Sequence, residues 1–217
     1  MLVTGLMIPR PTPVTAHRPS RIWCMRCENG FIDNGQQHWD DRYSKRTPAA
    51  PRAPEILAIN PEMTPLVPTS GRALDIACGR GAQAVWLASR GLNVVAIDVS
   101  GVAVALTNAA ARASDVADLV DARQQNLEDG LPGDLQDFDI IVCQRFRNRR
   151  ILEVLSRRLR SGGVAFVTVL STVGLDRSPG RFHASSGELV EFLTSADTEI
   201  VWDLEANGIA SIVIRRT

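Results

Sequence analysis

Two aspartates and two glycines between residues 73 and 100 have the spacing of a nucleoside-binding loop. Asp75 ends one short apolar run and Asp98 ends the next. Gly79 and Gly81 stand in the turn between them, where glycine lets the backbone approach a ligand and the following helix offers free N–H groups. A carboxylate in the position of Asp98 can accept both hydroxyls of a ribose. These residues predict a nucleoside-bearing cofactor.

The elements that must position this loop alternate between strand and helix patterns. Short, nearly all-apolar strands that alternate with helices indicate a parallel sheet covered on both faces. The cofactor is expected across the carboxyl ends of the strands. The predicted strands are 72–77, 92–97, 119–125, 138–143 and 163–170, and the predicted helices are 82–90, 101–113 and 149–160.

The last part of the chain has a different pattern. "GELVEFLTS" predicts a helix, and Asn207-Gly208 lies between two strand-like runs. Asn-Gly in that context is the strongest short-range signal for a β-hairpin. The predicted fold class is therefore α/β: a three-layer sandwich with a mostly parallel, seven-stranded sheet and a C-terminal antiparallel hairpin.

The residues around the loop distinguish between two cofactor classes. A glycine-rich turn alone is weak evidence, because dinucleotide enzymes also have one. A carboxylate beside a pyrophosphate costs binding energy, yet Asp75 comes directly before this loop. An acidic residue suits a cofactor with a cationic amino acid end, which favours S-adenosylmethionine over NAD.

The stretch "ALDIACGRGAQAVWLASRGLNVVAIDVS" resembles motifs I and II of Rossmann-like S-adenosylmethionine-dependent methyltransferases. With "WDDRY" upstream and "FDIIVCQRF" downstream, the chain is most similar to the tellurite-resistance and thiopurine methyltransferase-like group. The resemblance covers roughly residues 39–216 and is specific for cofactor and fold. It implies an enzyme that uses S-adenosylmethionine.

The resemblance also implies roles for residues of the first two strands. Asp75, Gly79 and Gly81 surround the methionine part of the cofactor, and Asp98 takes the ribose. Alternatives drawn from the residues alone stay open: Asp75 could brace the loop, and Ser100 is predicted to cap the next helix.

Further positions follow from the same resemblance. Val99 packs near the adenine, and Asn126, followed by Leu127, stands where an acidic residue often meets the adenine amino group. An asparagine can still accept a hydrogen bond there. Cys143 and Gln144 offer backbone carbonyls to the cofactor's ammonium.

Two aromatic residues, Trp39 and Tyr43, belong by resemblance to an N-terminal segment that lies over the cofactor. They could equally be core anchors.

The acceptor of a methyl group is expected beside the fourth strand. Methyl transfer from a sulfonium is an in-line displacement in which the protein aligns the acceptor, so no acid–base pair is obligatory. Arg145 follows that strand and could hold an anionic acceptor; alternatively, the arginines of "QRFRNRR" form a solvated helix start. His183, in the loop after the fifth strand, is a second candidate, as a base.

Other functions are less favoured. Lys+Arg and Asp+Glu number 24 each, and this zero balance indicates no polyanionic partner. The sequence also lacks the Asn-Pro-Pro-Tyr type loop of nucleic-acid amino methyltransferases. A small-molecule acceptor of the thiol, oxyanion or phenol class is therefore predicted, without nucleic acid or membrane. A degenerate methyltransferase fold that serves as a binding module is the alternative, followed by an NAD-binding oxidoreductase.

The N-terminal segment differs from the rest of the chain. Residues 1–36 have several prolines and no sustained period, so we expect a poorly ordered segment before a methyltransferase domain over residues 37–217. Cys24 and Cys27 have no second ligand pair at zinc-binding spacing, so no metal is predicted. Four cysteines do not make a disulfide framework, and no leader is recognised, so a reduced, cytoplasmic protein is expected.

Overall fold

One mixed β-sheet organises the protein, for which a computed structural model describes residues 35–176 and 178–217. Parallel neighbours form its first part, and the last two long strands run antiparallel to their neighbours. The strands are β1 (Arg72–Ile76), β2 (Asn93–Asp98), β3 (Val120–Gln124), β4 (Phe138–Gln144), β5 (Leu159–Ser171), β6 (His183–Ala184), β7 (Thr198–Ala206) and β8 (Ile209–Arg216).

Helices cover this sheet on both faces. The helices are α1 (Gly35–Tyr43), α2 (Glu55–Ile59), α3 (Ala82–Ala88), α4 (Gly101–Ala113), α5 (Arg149–Val154) and α6 (Glu188–Leu193). One core cluster joins alternate strand residues to α2, α3 and α4, and the other joins the remaining strand residues to α5 and α6. Because both faces of the central strands are buried, their sequences are nearly all apolar.

The strand order is β3-β2-β1-β4-β5-β8-β7, with β6 paired to β5 beside this path. The expected seven-stranded, mostly parallel sheet with a C-terminal hairpin is thus confirmed, and the two-residue strand β6 is an addition to it. The chain runs from β1 outward to β3 and then returns to the other side of β1 at β4. Ligands of open α/β sheets bind at such a switch point, outside the carboxyl ends of the strands.

The hairpin turn has the geometry that its sequence predicts. Asn207 has φ +54° and Gly208 has φ +77°, and positive φ at both central residues is what a two-residue type I′ turn requires. The turn joins β7 to β8, which pairs with β5 along Val164–Leu170.

The predicted helix over 149–160 is too long, and the fifth strand begins earlier than predicted. Helix α5 ends at Val154, and β5 already begins at Leu159, which pairs with Phe138. The strand then continues through an irregularity in its pairing with β4, between Phe138 and Ile140. A Cβ on Gly163 would lie 2.7 Å from the carbonyl oxygen of Phe138, so glycine permits a close backbone contact there.

Several predictions concern residues 1–34, which lie outside the described residues. Among them are the poorly ordered segment and the metal-free interpretation of Cys24 and Cys27, which stay predictions; Gly35 already belongs to α1. Over residues 35–176 and 178–217, no three His, Cys, Asp or Glu side chains are grouped so as to hold a metal ion. Nor does any helix in these ranges have the length and apolar character to cross a bilayer.

Candidate functional site

The loop after β1 runs through three left-handed backbone positions. Ala77 has φ +57°, Gly79 φ +56° and Gly81 φ +85°. The loop is fixed against β2 because the N–H of Cys78 donates to the carbonyl of Ile97, at 3.0 Å. A non-glycine residue at positive φ costs about 1–3 kcal/mol and persists where its surroundings determine it, so Ala77 marks this turn as a constrained one.

The two glycines of the loop serve different purposes. A Cβ on Gly79 would lie 3.0 Å from the hydroxyl oxygen of Tyr43, in α1. A Cβ on Gly81 would lie 2.9 Å from the Cα of Thr107, in α4. The absence of a side chain at Gly79 therefore lets Tyr43 lie directly against the loop, and the absence of one at Gly81 lets the loop approach α4.

Asp75 is a buried carboxylate with an oxygen that lacks a partner. Its residue is 2% exposed, and Oδ2 accepts no hydrogen bond. Burial and, to a smaller extent, the charge of Asp98 raise the pKa of Asp75 to about 8, against a hydrogen bond from the backbone of Ala84 that lowers it. An unpaired buried acceptor is costly, and a cationic ligand group would satisfy it.

Asp98 ends β2 and is also buried, with 4% exposure. Its Oδ2 accepts from the N–H of Gly79 at 2.9 Å, and its Oδ1 accepts from the N–H of Ser100 at 3.0 Å. Burial raises the pKa of Asp98 in spite of these bonds. A carboxylate has about four acceptor positions, so two remain for further donors.

Helix α1 places its aromatic residues beside this loop. The rings of Trp39 and Tyr43 stack with centroids 5.8 Å apart. The hydroxyl of Tyr43 reaches Gly79, and burial, followed by the charge of Asp98, raises the pKa of Tyr43. The segment expected over the cofactor thus lies over the glycine loop.

Asp40 in α1 and Ser100, the residue before α4, are joined by a hydrogen bond that the sequence did not predict. The hydroxyl of Ser100 donates to Oδ1 of Asp40 at 2.5 Å. Ser100 also accepts from the N–H of Ala103 at 3.1 Å, which confirms its predicted role as the cap of α4. Asp40 stands within "WDDRY", and nothing in that pattern indicates its partner 60 residues away.

The residues expected near the adenine lie at the ends of β2 and β3. The carbonyl of Val99 accepts from the side chain of Gln124 at 3.1 Å. Asn126 is exposed, and its Oδ1 accepts from the N–H of Glu128 at 3.1 Å, at the start of a single 3-10 turn. Leu127 is buried in that turn, with 4% exposure. The amide oxygen of Asn126 thus has one of its two acceptor positions occupied.

The end of β4 faces both the site and α2. Cys143 is fully buried, and its carbonyl accepts from the side-chain amide of Gln144 at 3.3 Å. The side-chain oxygen of Gln144, Oε1, accepts from the N–H of Glu55 at 2.9 Å. Burial raises the pKa of the Cys143 thiol, which makes it a neutral packing group.

Arg145 has a strained backbone and a paired side chain. Its φ is +58°, and its N–H donates to the carbonyl of Thr168 on β5 at 2.6 Å. The guanidinium Nε donates to Oε1 of Glu55 at 2.8 Å. Because α5 begins only at Arg149, Arg145 is separate from the helix start to which the alternative interpretation assigned it.

The next arginines of "QRFRNRR" also pair with carboxylates. Arg147 makes a two-pronged contact with Glu188, from Nε to Oε1 at 2.5 Å and from Nη2 to Oε2 at 2.7 Å. Glu188 is 4% exposed and also accepts from the N–H and hydroxyl of Ser185, so its pKa is lowered, mainly by Arg147. Arg149 pairs with Glu153, one turn along α5.

His183 lies in the two-residue strand β6. Its Nδ1 is 3.0 Å from both the N–H and the carbonyl oxygen of Gly180. The ring therefore makes a local contact within the loop that follows β5.

Comparison with known proteins agrees with this geometry. Residues 73–163 match the family described as "Methyltransferase domain". That match covers the glycine loop and the ends of β1, β2 and β4. No curated protein sequence matches the chain significantly.

Solved structures share the fold at low sequence identity. TehB from Haemophilus influenzae is 17% identical, with 82% of this chain and 67% of that chain covered and a TM-score of 0.62. Geranyl diphosphate C-methyltransferase from Streptomyces coelicolor A3(2), in complex with S-adenosyl-L-homocysteine, is 14% identical, with 86% and 100% covered and a TM-score of 0.63. The [4+2]-cyclase SpnF is 20% identical, with 83% and 94% covered and a TM-score of 0.62.

The match over residues 73–163 and these shared folds agree with the expected Rossmann-like methyltransferase fold.

Proposed function

We propose that this chain, a methyl-transferring enzyme with a Rossmann-like S-adenosylmethionine-dependent methyltransferase domain, acts on a small-molecule acceptor of the thiol, oxyanion or phenol class. The observation that most supports the proposed site is the unpartnered, buried oxygen of Asp75 at the switch point of the sheet. A cationic ligand group would stabilise the ionised form of this carboxyl group, whereas the negative charge of a pyrophosphate would oppose its ionisation.

The residues around this oxygen fit S-adenosylmethionine. Asp75 would accept from the ammonium of its methionine part, together with the carbonyls of Cys143 and Gln144. Gly79, whose Cβ would reach the hydroxyl of Tyr43, keeps that space open. Asp98 would accept from the ribose hydroxyls with the two positions that Gly79 and Ser100 leave unused.

The remaining proposed contacts lie on either side. Val99, Asn126 and Leu127 would border the adenine at the ends of β2 and β3. Trp39 and Tyr43 would cover the cofactor from α1 and exclude water, which strengthens polar contacts inside the site.

The chemistry requires little from the protein beyond alignment. When bound, S-adenosylmethionine supplies a methyl group activated by a sulfonium. The chain must hold the acceptor's nucleophilic atom in line, about 3–3.5 Å from the methyl carbon. Arg145, beside the site at the end of β4, is the proposed acceptor-positioning residue, and we expect no obligatory general base.

Arg145 also suggests the charge of the acceptor. In the structure its guanidinium pairs with Glu55. An acceptor that is anionic, or becomes so as it reacts, could compete with Glu55 for this cation, and its planar fork suits an oxyanion. We expect neither a nucleic acid nor a membrane among the partners.

Calorimetric titration with S-adenosylhomocysteine tests the cofactor assignment, with NAD as the comparison ligand. Asp98→Ala should bind at least tenfold more weakly while remaining folded, because hydrogen bonds to charged groups contribute about 1.5–3 kcal/mol. Turnover is then measured as S-adenosylhomocysteine release with a panel of thiols, oxyanions and phenols. Binding of NAD alone would overturn the proposal, and unchanged affinity in Asp98→Ala would remove the ribose assignment.

A further inference from the structure

Two side chains of α1, one turn apart, reach the two sides of the proposed ribose site. Oδ1 of Asp40 accepts from the hydroxyl of Ser100 at 2.5 Å and from the N–H of Val102 at 3.3 Å. Tyr43 lies at the other side, where its hydroxyl reaches the face of Gly79. Helix α1 is therefore attached at two points.

These two points coincide with the donors that hold Asp98. The backbone N–H of Ser100 donates to one oxygen of Asp98, and the N–H of Gly79 donates to the other. Asp40 accepts a hydrogen bond from the hydroxyl of Ser100, the first of these donor residues, and Tyr43 contacts Gly79, the second. Helix α1 thus contacts both residues whose backbone N–H groups donate to the carboxylate of Asp98.

We infer that Asp40 is a positioning residue for cofactor binding, which fixes α1, and with it Tyr43, over the ribose end of the site. The inference rests on the proposed function, since it concerns the same cofactor. In this role Asp40 holds α1 in position, and Asp40 itself needs no contact with the cofactor.

The charge of Asp40 supports a role in holding α1 in position. The hydrogen bond from Ser100 is the main cause that lowers the pKa of Asp40, so the carboxylate is ionised at neutral pH and its hydrogen bonds are charge-assisted. The same charge contributes to raising the pKa of Asp98. Asp40 thus disfavours the ionised acceptor beside it, and we expect its benefit to binding to come from holding α1 in place.

Because the two carboxylates are buried, the attachment of α1 should affect how fast a ligand binds and leaves. With α1 in place, Asp75 and Asp98 are only 2% and 4% exposed. Because Tyr43 of α1 lies against Gly79, whose N–H donates to Asp98, we expect a ligand at Asp98 to pass α1, and a weaker attachment should shorten its residence time. Chemistry in the closed complex should change little, because Asp40 touches neither carboxylate in the hydrogen-bond pattern of the site.

Asp40→Ala, with Asp41→Ala as the matched control, tests the inference. Asp41 is the next residue of the same helix, and its side chain accepts from Gln37 at the exposed surface. For Asp40→Ala we expect about tenfold weaker S-adenosylhomocysteine binding and a KM for S-adenosylmethionine raised to match, with kcat within about twofold of wild type. Asp41→Ala should behave as wild type; equal effects of the two substitutions would overturn the inference.

Asp40→Asn separates position from charge. Its amide oxygen can still accept from Ser100 and Val102, so most of the lost affinity should return. If Asp40→Asn binds as weakly as Asp40→Ala, the charge matters and the positioning role is wrong.

Lys45 gives a readout that needs no cofactor. It is the only lysine in the chain, and it is exposed just after α1, so a lysine-specific protease cuts once. We expect severalfold faster cleavage in Asp40→Ala than in wild type or Asp41→Ala. If wild type binds no S-adenosylhomocysteine, the proposed function fails while cleavage still shows whether Asp40 fixes α1; equal cleavage rates would contradict that attachment.

Discussion

The carboxyl ends of β1 and β2 hold carboxylates away from water, whereas the region after β4 holds guanidinium groups against carboxylates. In the first region Asp75 has an oxygen without a partner. In the second, Arg145 and Arg147 each pair with a glutamate. The first region thus has an unsatisfied group that a cation would complete, and the second has charges that are already balanced within the protein.

This difference separates two kinds of recognition. A buried acceptor without a partner raises the free energy of the empty site, so a matching ligand gains what the protein has lost. A preformed ion pair gives no such gain, because an anionic ligand must first compete with the existing carboxylate. We therefore expect substitutions in the first region to change cofactor affinity and those in the second to change turnover.

The largest effect is expected from Gly79→Val. The new side chain would meet the hydroxyl of Tyr43 and would occupy a φ of +56°, so S-adenosylhomocysteine affinity should fall more than about a hundredfold. Gly162→Val is the control, since Gly162 has φ +78° but open space around its Cβ. Gly162→Val should lower the melting temperature through backbone strain alone and keep binding in calorimetry, whereas Gly79→Val should lose binding. Retained affinity would place the cofactor elsewhere.

Asp75→Asn should weaken S-adenosylhomocysteine binding by at least about tenfold, because an amide attracts an ammonium less than a carboxylate does. The same substitution should increase the free energy of unfolding of the cofactor-free protein at high pH, where ionisation of the buried Asp75 is costly. Since the folded pKa of Asp75 is about 8, above its unfolded value, Asp75 lowers the free energy of unfolding as pH rises from about 4 to 8.

Urea unfolding of cofactor-free protein at pH 5 and pH 8 measures how much Asp75 changes the free energy of unfolding with pH. Asp75→Asn lacks this dependence, so the stability of the variant relative to wild type should increase by at least about 1.4 kcal/mol, the equivalent of one pKa unit, between these pH values. Parallel changes with pH in the two proteins would mean that Asp75 is ionised in the folded state and has a partner.

The smallest of these effects is expected from Arg145→Met. Cofactor affinity and melting temperature should stay near wild type, while transfer to the best acceptor falls about tenfold, and Arg145→Lys should rescue only part of it. Arg149→Met is the matched control, because Arg149 makes an exposed ion pair with Glu153 on α5. Unchanged turnover in Arg145→Met would leave the acceptor to the loop around His183.

Local signals in the sequence predicted much of the fold. Asn207 and Gly208 adopt the positive φ values that their turn type needs, and the apolar runs of β1, β2 and β4 are buried on both faces. Ser100 caps α4 as expected. In each case the information lies within a few residues, where backbone preference and burial period act.

Features that depend on distant partners could not be read in this way. Arg147 and Glu188 are 41 positions apart, and Asp40 and Ser100 are 60 apart. The arginines appeared as one cluster, although the fold gives Arg145 and Arg147 different partners on different elements. Strand β6 has only two residues, too few for an alternating pattern. Pairing of this kind is set by the sheet order and not by local composition.

Strand β8 has a consequence for how the chain folds as it is made. It pairs with β5 from Val164 to Leu170, and it follows that strand only after the intervening loop, α6 and β7. Until Ile209 and the residues after it have been synthesised, the apolar edge of β5 has no partner on that side. Such an edge can pair with another chain, so we expect aggregation to compete with folding during this interval of synthesis.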